Sequence, residues 1–285
     1  MKKKWTERLG FILLTLSGSI VIALLGIILF DIISNGIGAI SWEFISQPPR
    51  EGMTKGGIFP AILGTFVVSI VTILFSVPLG MCAAIYLHEY ARAGRLTRLI
   101  RLSIRNLSGV PSIVYGLFGV VIFVQTFRFG TSILSAGLTL GLLTLPWTIT
   151  ACEEALKTVP MAYREGALAL GATKWYTIRT NVLPYAVPGM LTGTILGLAR
   201  AAGETAPILF TGAAFFLPHL PRSIFDQFMA LPYHLYILST QHHAIEEVRP
   251  IAYGTALVLL ILVLFLSFTA ILVRYRYRKK MKGSI

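Results

Sequence analysis

Hydrophobic residues in this chain fall into six long runs, separated by shorter stretches that are rich in charged residues, glycine and proline. Each run reaches the roughly 20 predominantly apolar residues that an α-helix needs to cross about 30 Å of hydrocarbon. The runs lack the alternation of apolar and polar residues that is typical of transmembrane β-strands. The pattern therefore predicts an all-α, polytopic membrane protein. Its six transmembrane helices are expected at residues 11–30, 58–87, 107–127, 131–151, 185–216 and 251–273.

The composition supports this class, since 55% of the 285 residues are hydrophobic and only 13% are charged. The formal net charge is +13, but the positive residues are unevenly distributed. Nineteen of the 25 Lys and Arg lie in the amino-terminal segment, after the second and fourth runs, and in the carboxy-terminal tail. Positive residues mark the cytoplasmic side of a membrane protein. We therefore predict a multi-pass protein of the cell membrane with both termini in the cytoplasm, whose excess charge faces anionic lipid rather than nucleic acid.

The order of the runs predicts three regions. Residues 1–56 would form an amino-terminal cytoplasmic tail, the first transmembrane helix and an outer loop. Residues 57–273 would form the main transmembrane domain, with a cytoplasmic loop at about 153–184, and residues 274–285 would form a basic cytoplasmic tail. Only residues 128–130 join the third and fourth runs, so these two helices are expected to be antiparallel neighbours.

Arg200 and Glu204 stand out because both lie in the fifth apolar run. A charged side chain at the bilayer centre costs about 2.5–3.5 kcal/mol, and is retained where it faces protein or a water-filled path. A spacing of four residues places both side chains on one face of a helix. The forked guanidinium of Arg200 suits an oxyanion, and the carboxylate beside it would keep that anion from binding too tightly. We predict that the pair lines a substrate path; a purely structural ion pair is the alternative.

The sequence predicts neither a catalytic site nor a metal site. It contains no phosphate-binding loop of the G-x-x-x-x-G-K-[ST] type, so an ATP-driven process would need another protein to bind the nucleotide. His242, His243 and Glu246 are close in sequence, but adjacent histidines point to different faces of a helix. The paired inverted repeats that are typical of secondary transporters are not detected.

The cytoplasmic loop at 153–184 carries the clearest local pattern. Pro160 can begin a helix that ends at Gly171, and Thr173 can cap a second short helix. This second helix is expected to stop before the Leu183-Pro184 pair. The resulting knob would expose two aromatic residues, Trp175 and Tyr176. Such a knob suits a cleft in another protein; an amphipathic helix resting on lipid is the alternative.

The loop resembles the motif by which the integral membrane subunits of ABC importers engage their ATPase subunits. The matching residues are Glu165, Gly166, Ala167, Gly171, Leu183 and Pro184, and Trp175 in the second short helix is expected to belong to the same coupling surface. Gly166 stands where the motif usually has alanine, and Asn181 where it usually has an apolar residue, but the spacing is kept. Residues 107–119 and 199–207 are similar to stretches in the permease subunits of phosphate importers.

This resemblance implies the fold of a type I ABC importer permease, a non-catalytic membrane subunit that forms half of a translocation path. It implies four kinds of partner: a similar sister permease, two ATPase subunits, a phosphate-binding protein and phosphate itself. ATP and Mg would be bound by the ATPase subunits, with no cofactor on this chain. Sulfate and molybdate remain alternative substrates, because an arginine recognises all three oxyanions. A secondary anion transporter is the alternative from another class.

Overall fold

The computed structural model describes residues 2–217 and 219–282, with side chains at residues 10–217 and 219–279. The described chain is predominantly helical. Its α-helices are α1 (Lys2–Gly36), α2 (Trp42–Ser46), α3 (Phe59–Ile85), α4 (Arg95–Leu107), α5 (Ser112–Gly119), α6 (Ile133–Lys157), α7 (Met161–Ala169), α8 (Lys174–Thr177), α9 (Leu183–Ala202), α10 (Ala206–Thr211), α11 (Leu231–Thr240) and α12 (Ile245–Lys282). Three π-helical turns follow α3, α5 and α8, at Tyr86–Tyr90, Val120–Thr126 and Ile178–Val182.

Short elements occupy the connection between α1 and α3. Two strands, β1 (Pro49–Arg50) and β2 (Lys55–Gly56), pair antiparallel, with Pro49 opposite Gly56 and Arg50 opposite Lys55. The same connection contains two short 3-10 helices, at Ile37–Ala39 and Glu51–Met53.

The predicted all-α, polytopic fold class is confirmed. Among the residues that the structure describes, five helical stretches are long and apolar enough to cross a membrane, and α4 with the helix that follows it gives a sixth if this bent pair is one crossing. The five stretches are Gly10–Ala39, Phe59–Tyr90, Ile133–Lys157, Lys174–Ala202 and Ile245–Lys279.

The third crossing differs from its prediction at 107–127. Leu107 ends α4, and the chain then turns by 105° before a new helix begins at Ser112 and continues to Thr126. Pro111 explains the break, because it has no N–H to donate and disfavours helical backbone at Val110. The crossing helix is therefore short, about 22 Å at 1.5 Å per residue.

The fifth crossing also differs from its prediction at 185–216. The helix does not stop before Leu183 and Pro184, since α8 runs through a π-helical turn into α9. The wider turn relieves the clash that Pro184 would otherwise make with the carbonyl four residues earlier. At the other end, α9 stops at Ala202, and a separate short helix, α10, begins at Ala206.

Helix α6 lies at the centre of the bundle, between α3 and α9. Gly189, Gly193 and Gly197 form a stripe with a spacing of four along α9. This stripe faces α6, where a methyl group on Gly193 would overlap the Cβ atom of Ala151. Small residues at this spacing let two membrane helices approach closely. By contrast, α1 packs on α12 at the edge of the bundle and leaves most of its apolar side chains exposed, as a lipid-facing helix does.

The connecting segments collect at two ends of the bundle. The first, which we call the loop end, holds residues 86–111 and 153–182, joined by ion pairs between these segments. The second, which we call the far end, holds residues 37–57 and 212–244. The short link at 128–130 lies between two packed, antiparallel helices, α5 and α6, as predicted.

Candidate functional site

Arg200 lies at the middle of the bundle. Its guanidinium carbon is 5.3 Å from the centre of the Trp147 ring, and Trp147 is near the midpoint of α6. The Arg200 side chain is 48% exposed in this chain. A guanidinium exposed at this depth would be costly against lipid, so its open side is expected to face protein or water.

Glu204 accompanies Arg200, but by a different route from the predicted helical face. The helix ends at Ala202, and Glu204 lies in the break between α9 and α10, where its N–H donates to the Ala201 carbonyl at 3.2 Å. The Arg200 Nε and Glu204 Oε1 atoms are still only 3.4 Å apart, and the Glu204 side chain is 17% exposed. The two charges therefore stay together although Glu204 lies outside the helix, and the Arg200 side chain remains about half exposed.

The knob at the loop end has the local structure that its sequence predicts. Helix α7 ends in a Schellman motif around Gly171, whose φ of +82° lies in the left-handed region that favours glycine. The Ala172 N–H donates to the Ala167 carbonyl at 3.1 Å, and the Gly171 N–H donates to Leu168 at 3.0 Å. The Thr173 hydroxyl then accepts from the Tyr176 N–H at 3.3 Å and so caps α8.

The outer surface of the knob is apolar. Trp175 and Tyr176 are both more than half exposed, and Leu170, at the tip, is 90% exposed. Glu165, Gly166 and Gly171 are exposed as well, whereas Ala167, Leu183 and Pro184 are half-buried. A cluster of large exposed apolar side chains next to polar residues is typical of a protein contact surface.

A buried ion pair that the sequence analysis missed fixes the knob to the bundle. The Arg164 Nη2 and Glu89 Oε1 atoms are 2.7 Å apart, and both side chains are largely buried, at 11% and 7% exposed. Arg164 also donates to the carbonyl of Leu156, in the last turn of α6, at 3.2 Å and to that of Val159, just beyond this helix, at 2.9 Å. The available signals were a carboxylate at the end of the second apolar run and an arginine directly before Glu165.

A second pair at the loop end holds α4. The Arg101 Nε atom is 3.2 Å from Glu153 Oε1, and Arg101 Nη2 donates to the Leu87 carbonyl at 2.7 Å. Glu153 belongs to α6 and Leu87 to the π-helical turn after α3. The ends of three segments are thus joined next to the knob.

At the far end, the histidines serve the structure of the loops. The His242 Nδ1 atom accepts from the Ala244 N–H at 3.1 Å. The proton of the neutral ring therefore lies on Nε2, which donates to the Gly52 carbonyl at 2.7 Å. His234 is buried beside it, and burial, followed by the nearby His242, lowers the pKa of His234 to about 4. Among the residues that the structure describes, no group of three or more His, Cys, Asp or Glu is arranged to hold a metal ion.

The bundle, its mid-depth charge and its exposed knob define a membrane-embedded subunit of a transporter. The chain belongs to the family described as "Binding-protein-dependent transport system inner membrane component", which it matches over residues 76–282. It is therefore a multi-pass transport subunit.

Individual relatives agree with this family. The chain is 33% identical over 272 residues to the probable ABC transporter permease protein YqgI of Bacillus subtilis (strain 168), covering 91% of this chain and 92% of that protein. It is 39% identical over 197 residues to the phosphate transport system permease protein PstA 1 of Mycobacterium tuberculosis (strain CDC 1551 / Oshkosh), covering 67% of this chain and 64% of that protein.

Solved structures agree at the level of the fold. A chain from a bacterial ABC transporter that imports the acidic polysaccharide alginate superposes with a TM-score of 0.64 at 15% identity, covering 90% of this chain and 94% of that one. The fold predicted from the loop motif, that of a type I ABC importer permease, is confirmed.

Proposed function

We propose that this chain is the permease subunit of an ATP-driven phosphate importer. Two features support phosphate: the similarity to a permease named for phosphate transport, and an arginine at mid-depth whose planar fork suits a tetrahedral oxyanion. Sulfate and molybdate would satisfy the same fork. A protonated phosphate can also donate a hydrogen bond, which the neighbouring Glu204 carboxylate can accept.

The proposal includes an assembly. One bundle lines only half of a path, so a sister permease (PstC-like) would cover the open side of Arg200. The apolar knob would enter a cleft in one of two ATPase subunits (PstB-like), which bind ATP and Mg, and a phosphate-binding protein (PstS-like) would dock at the far end. The chain itself would carry no catalytic step. The loop end and both termini would then lie in the cytoplasm, in agreement with the charge distribution.

One observation carries this proposal. A single helical stretch, Lys174–Ala202, begins in the knob and ends two residues beyond Arg200. A movement imposed on Trp175 by an ATPase subunit would therefore be passed along a continuous helix to the charge at mid-depth. The break after Ala202 lets that end move separately from α10.

The test replaces Arg200 in the assembled complex and measures radiolabelled phosphate uptake together with complex yield. We expect Arg200→Lys to impair uptake, because an ammonium keeps the charge but cannot form the planar two-point contact. Arg200→Ala should abolish uptake while the yield of complex stays normal.

A matched double variant separates the path from a purely structural ion pair. If the pair is structural, each single change lowers the yield, and Arg200→Gln combined with Glu204→Gln restores both yield and uptake. Uptake at the wild-type level in that double variant would refute a role for Arg200 in the path.

A further inference from the structure

Helix α4 is amphipathic and is only partly covered by the rest of the chain. Arg98 and Arg105 project to one side of it, whereas Leu96, Leu99 and Ile100 project to the other, and all five are exposed. Arg95 and Leu102, which are also exposed, lie at one boundary between the two sides. Between these two faces, Arg101 and Ile104 contact the bundle, Arg101 through Glu153 and the Leu87 carbonyl. The contact side thus fixes how the helix is rotated about its own axis.

The direction of α4 places it in the plane of the membrane. Its axis lies at 105° to the crossing helix that begins at Ser112, so α4 runs crosswise at the loop end of the bundle. A helix in this position exposes its leucines to the acyl chains and its arginines to the headgroups and water.

The basic side of α4 forms an open groove. The groove has a volume of about 440 Å³ and is lined by Ala93, Gly94, Thr97, Arg98, Arg101, Leu102 and Arg105. Three guanidinium groups thus face one space, and none of the described residues that line it is acidic. Of the three, Arg101 is already engaged by Glu153. Arg105 also borders a second pocket that contains Glu153 and Glu154, but among the described residues neither Arg98 nor Arg105 forms an ion pair, so both can turn toward an anion.

We propose that this groove binds the headgroup of an anionic phospholipid from the leaflet at the loop end. The guanidinium groups of Arg98 and Arg105 donate hydrogen bonds to the phosphate oxygens, while Leu96, Leu99 and Ile100 insert among the acyl chains of the same leaflet. Bound lipid would fix the position of α4. Through the ion pair between Arg101 and Glu153, it would also fix the carboxy-terminal end of α6, which lies next to the knob. This inference depends on the membrane position of α4 and not on the transported substrate.

The experiment places the purified complex in nanodiscs that contain both phosphatidylcholine and phosphatidylglycerol. It then measures how much phosphatidylglycerol remains bound to the complex. Arg98→Gln combined with Arg105→Gln should weaken retention by roughly thirtyfold, about fivefold for each arginine removed. Arg98→Lys combined with Arg105→Lys keeps the charge but loses the forked contacts, so its retention should fall between that of the glutamine variant and that of the wild type.

The matched control is Arg276→Gln combined with Arg278→Gln, which removes the same charge from exposed positions in α12. This control should lose clearly less phosphatidylglycerol than the α4 variant, because its arginines attract the membrane surface without forming the groove. The proposal is wrong if the two glutamine variants lose lipid equally, which would indicate unspecific attraction. It is also wrong if millimolar inorganic phosphate displaces the lipid, or if the α4 variant sheds a protein subunit while its lipid stays bound.

Discussion

The buried pair of Arg164 and Glu89 gives the sharpest prediction about how the knob is held. Glu89 lies in the π-helical turn after α3, and Arg164 lies in α7, 75 residues further along the chain. The change Glu89→Gln keeps the shape of the side chain but removes its charge. It would leave the buried Arg164 guanidinium without an anionic partner, with two backbone carbonyls and the new amide oxygen as its neutral acceptors.

The magnitude follows from the burial of both side chains, at 11% and 7% exposed. Removing one partner of a buried ion pair costs about 3–5 kcal/mol, because the other charge is left uncompensated. Because Arg164 keeps its two carbonyl acceptors, we expect the lower end of this range. About 3 kcal/mol corresponds to a shift of roughly 150-fold in the equilibrium between a docked and a released α7.

The assay is amide hydrogen exchange across α7 in the assembled transporter, followed by transport-stimulated ATP hydrolysis. Glu89→Gln should speed exchange in α7 by up to about a hundredfold and weaken the stimulation. The matched control is Glu154→Gln, which breaks an exposed pair with Lys157 nearby, with the side chains 63% and 49% exposed. Such a pair contributes at most about 1 kcal/mol. Equal exchange in the two variants would refute the role given to the buried pair, as would additive effects of Glu89→Gln and Arg164→Gln.

Three further predictions concern the knob, the far end and the topology. Gly171→Val places a β-branched residue at a φ of +82°, so it should cost about 1 kcal/mol or more locally and weaken assembly with the ATPase; an intact complex with full ATP hydrolysis would contradict it. His234 has a folded-state pKa of about 4 against an ordinary 6.5, so the folded protein keeps it neutral. Thermal unfolding should therefore show a stability that is fully present above about pH 6.5 and falls by up to about 3 kcal/mol as the pH drops toward 4, and His234→Phe should flatten this profile. Cysteines placed at Lys2 and Lys280 should be shielded from an impermeant thiol reagent in intact cells, whereas one at Arg222 should be labelled; labelling at Lys280 would overturn the proposed orientation.

Several elements could be derived from the sequence because their causes are local. The apolar runs predict the crossing helices, since hydrocarbon requires about 20 apolar residues wherever they lie in the chain. The cap at Gly171 and the cap at Thr173 depend only on residues within one turn, and both are present in the structure. Arg200 likewise stands out as a candidate site residue from its charge within the fifth apolar run, without knowledge of its neighbours in space.

The breaks in the helices were harder to derive. Pro111 lies in a break between two helices, whereas Pro184 lies within a continuous helical stretch, although both follow apolar residues. The difference lies in a π-helical turn before Pro184 and in the packing of α9 on α6 through its glycine stripe. Local propensity could not decide between the two outcomes, because packing against another helix outweighs it.

The class of protein, the presence of several crossing helices, the knob and the charge within the fifth apolar run can therefore be derived from the sequence. Only the folded structure shows that Glu204 leaves the helix yet stays beside Arg200, and that Glu89 meets Arg164 across 75 residues. It also shows that α4 lies crosswise with its arginines around one groove. The physical reason is the same in each case: an ion pair or a groove depends on which distant segments meet, and no local pattern of residues specifies that meeting.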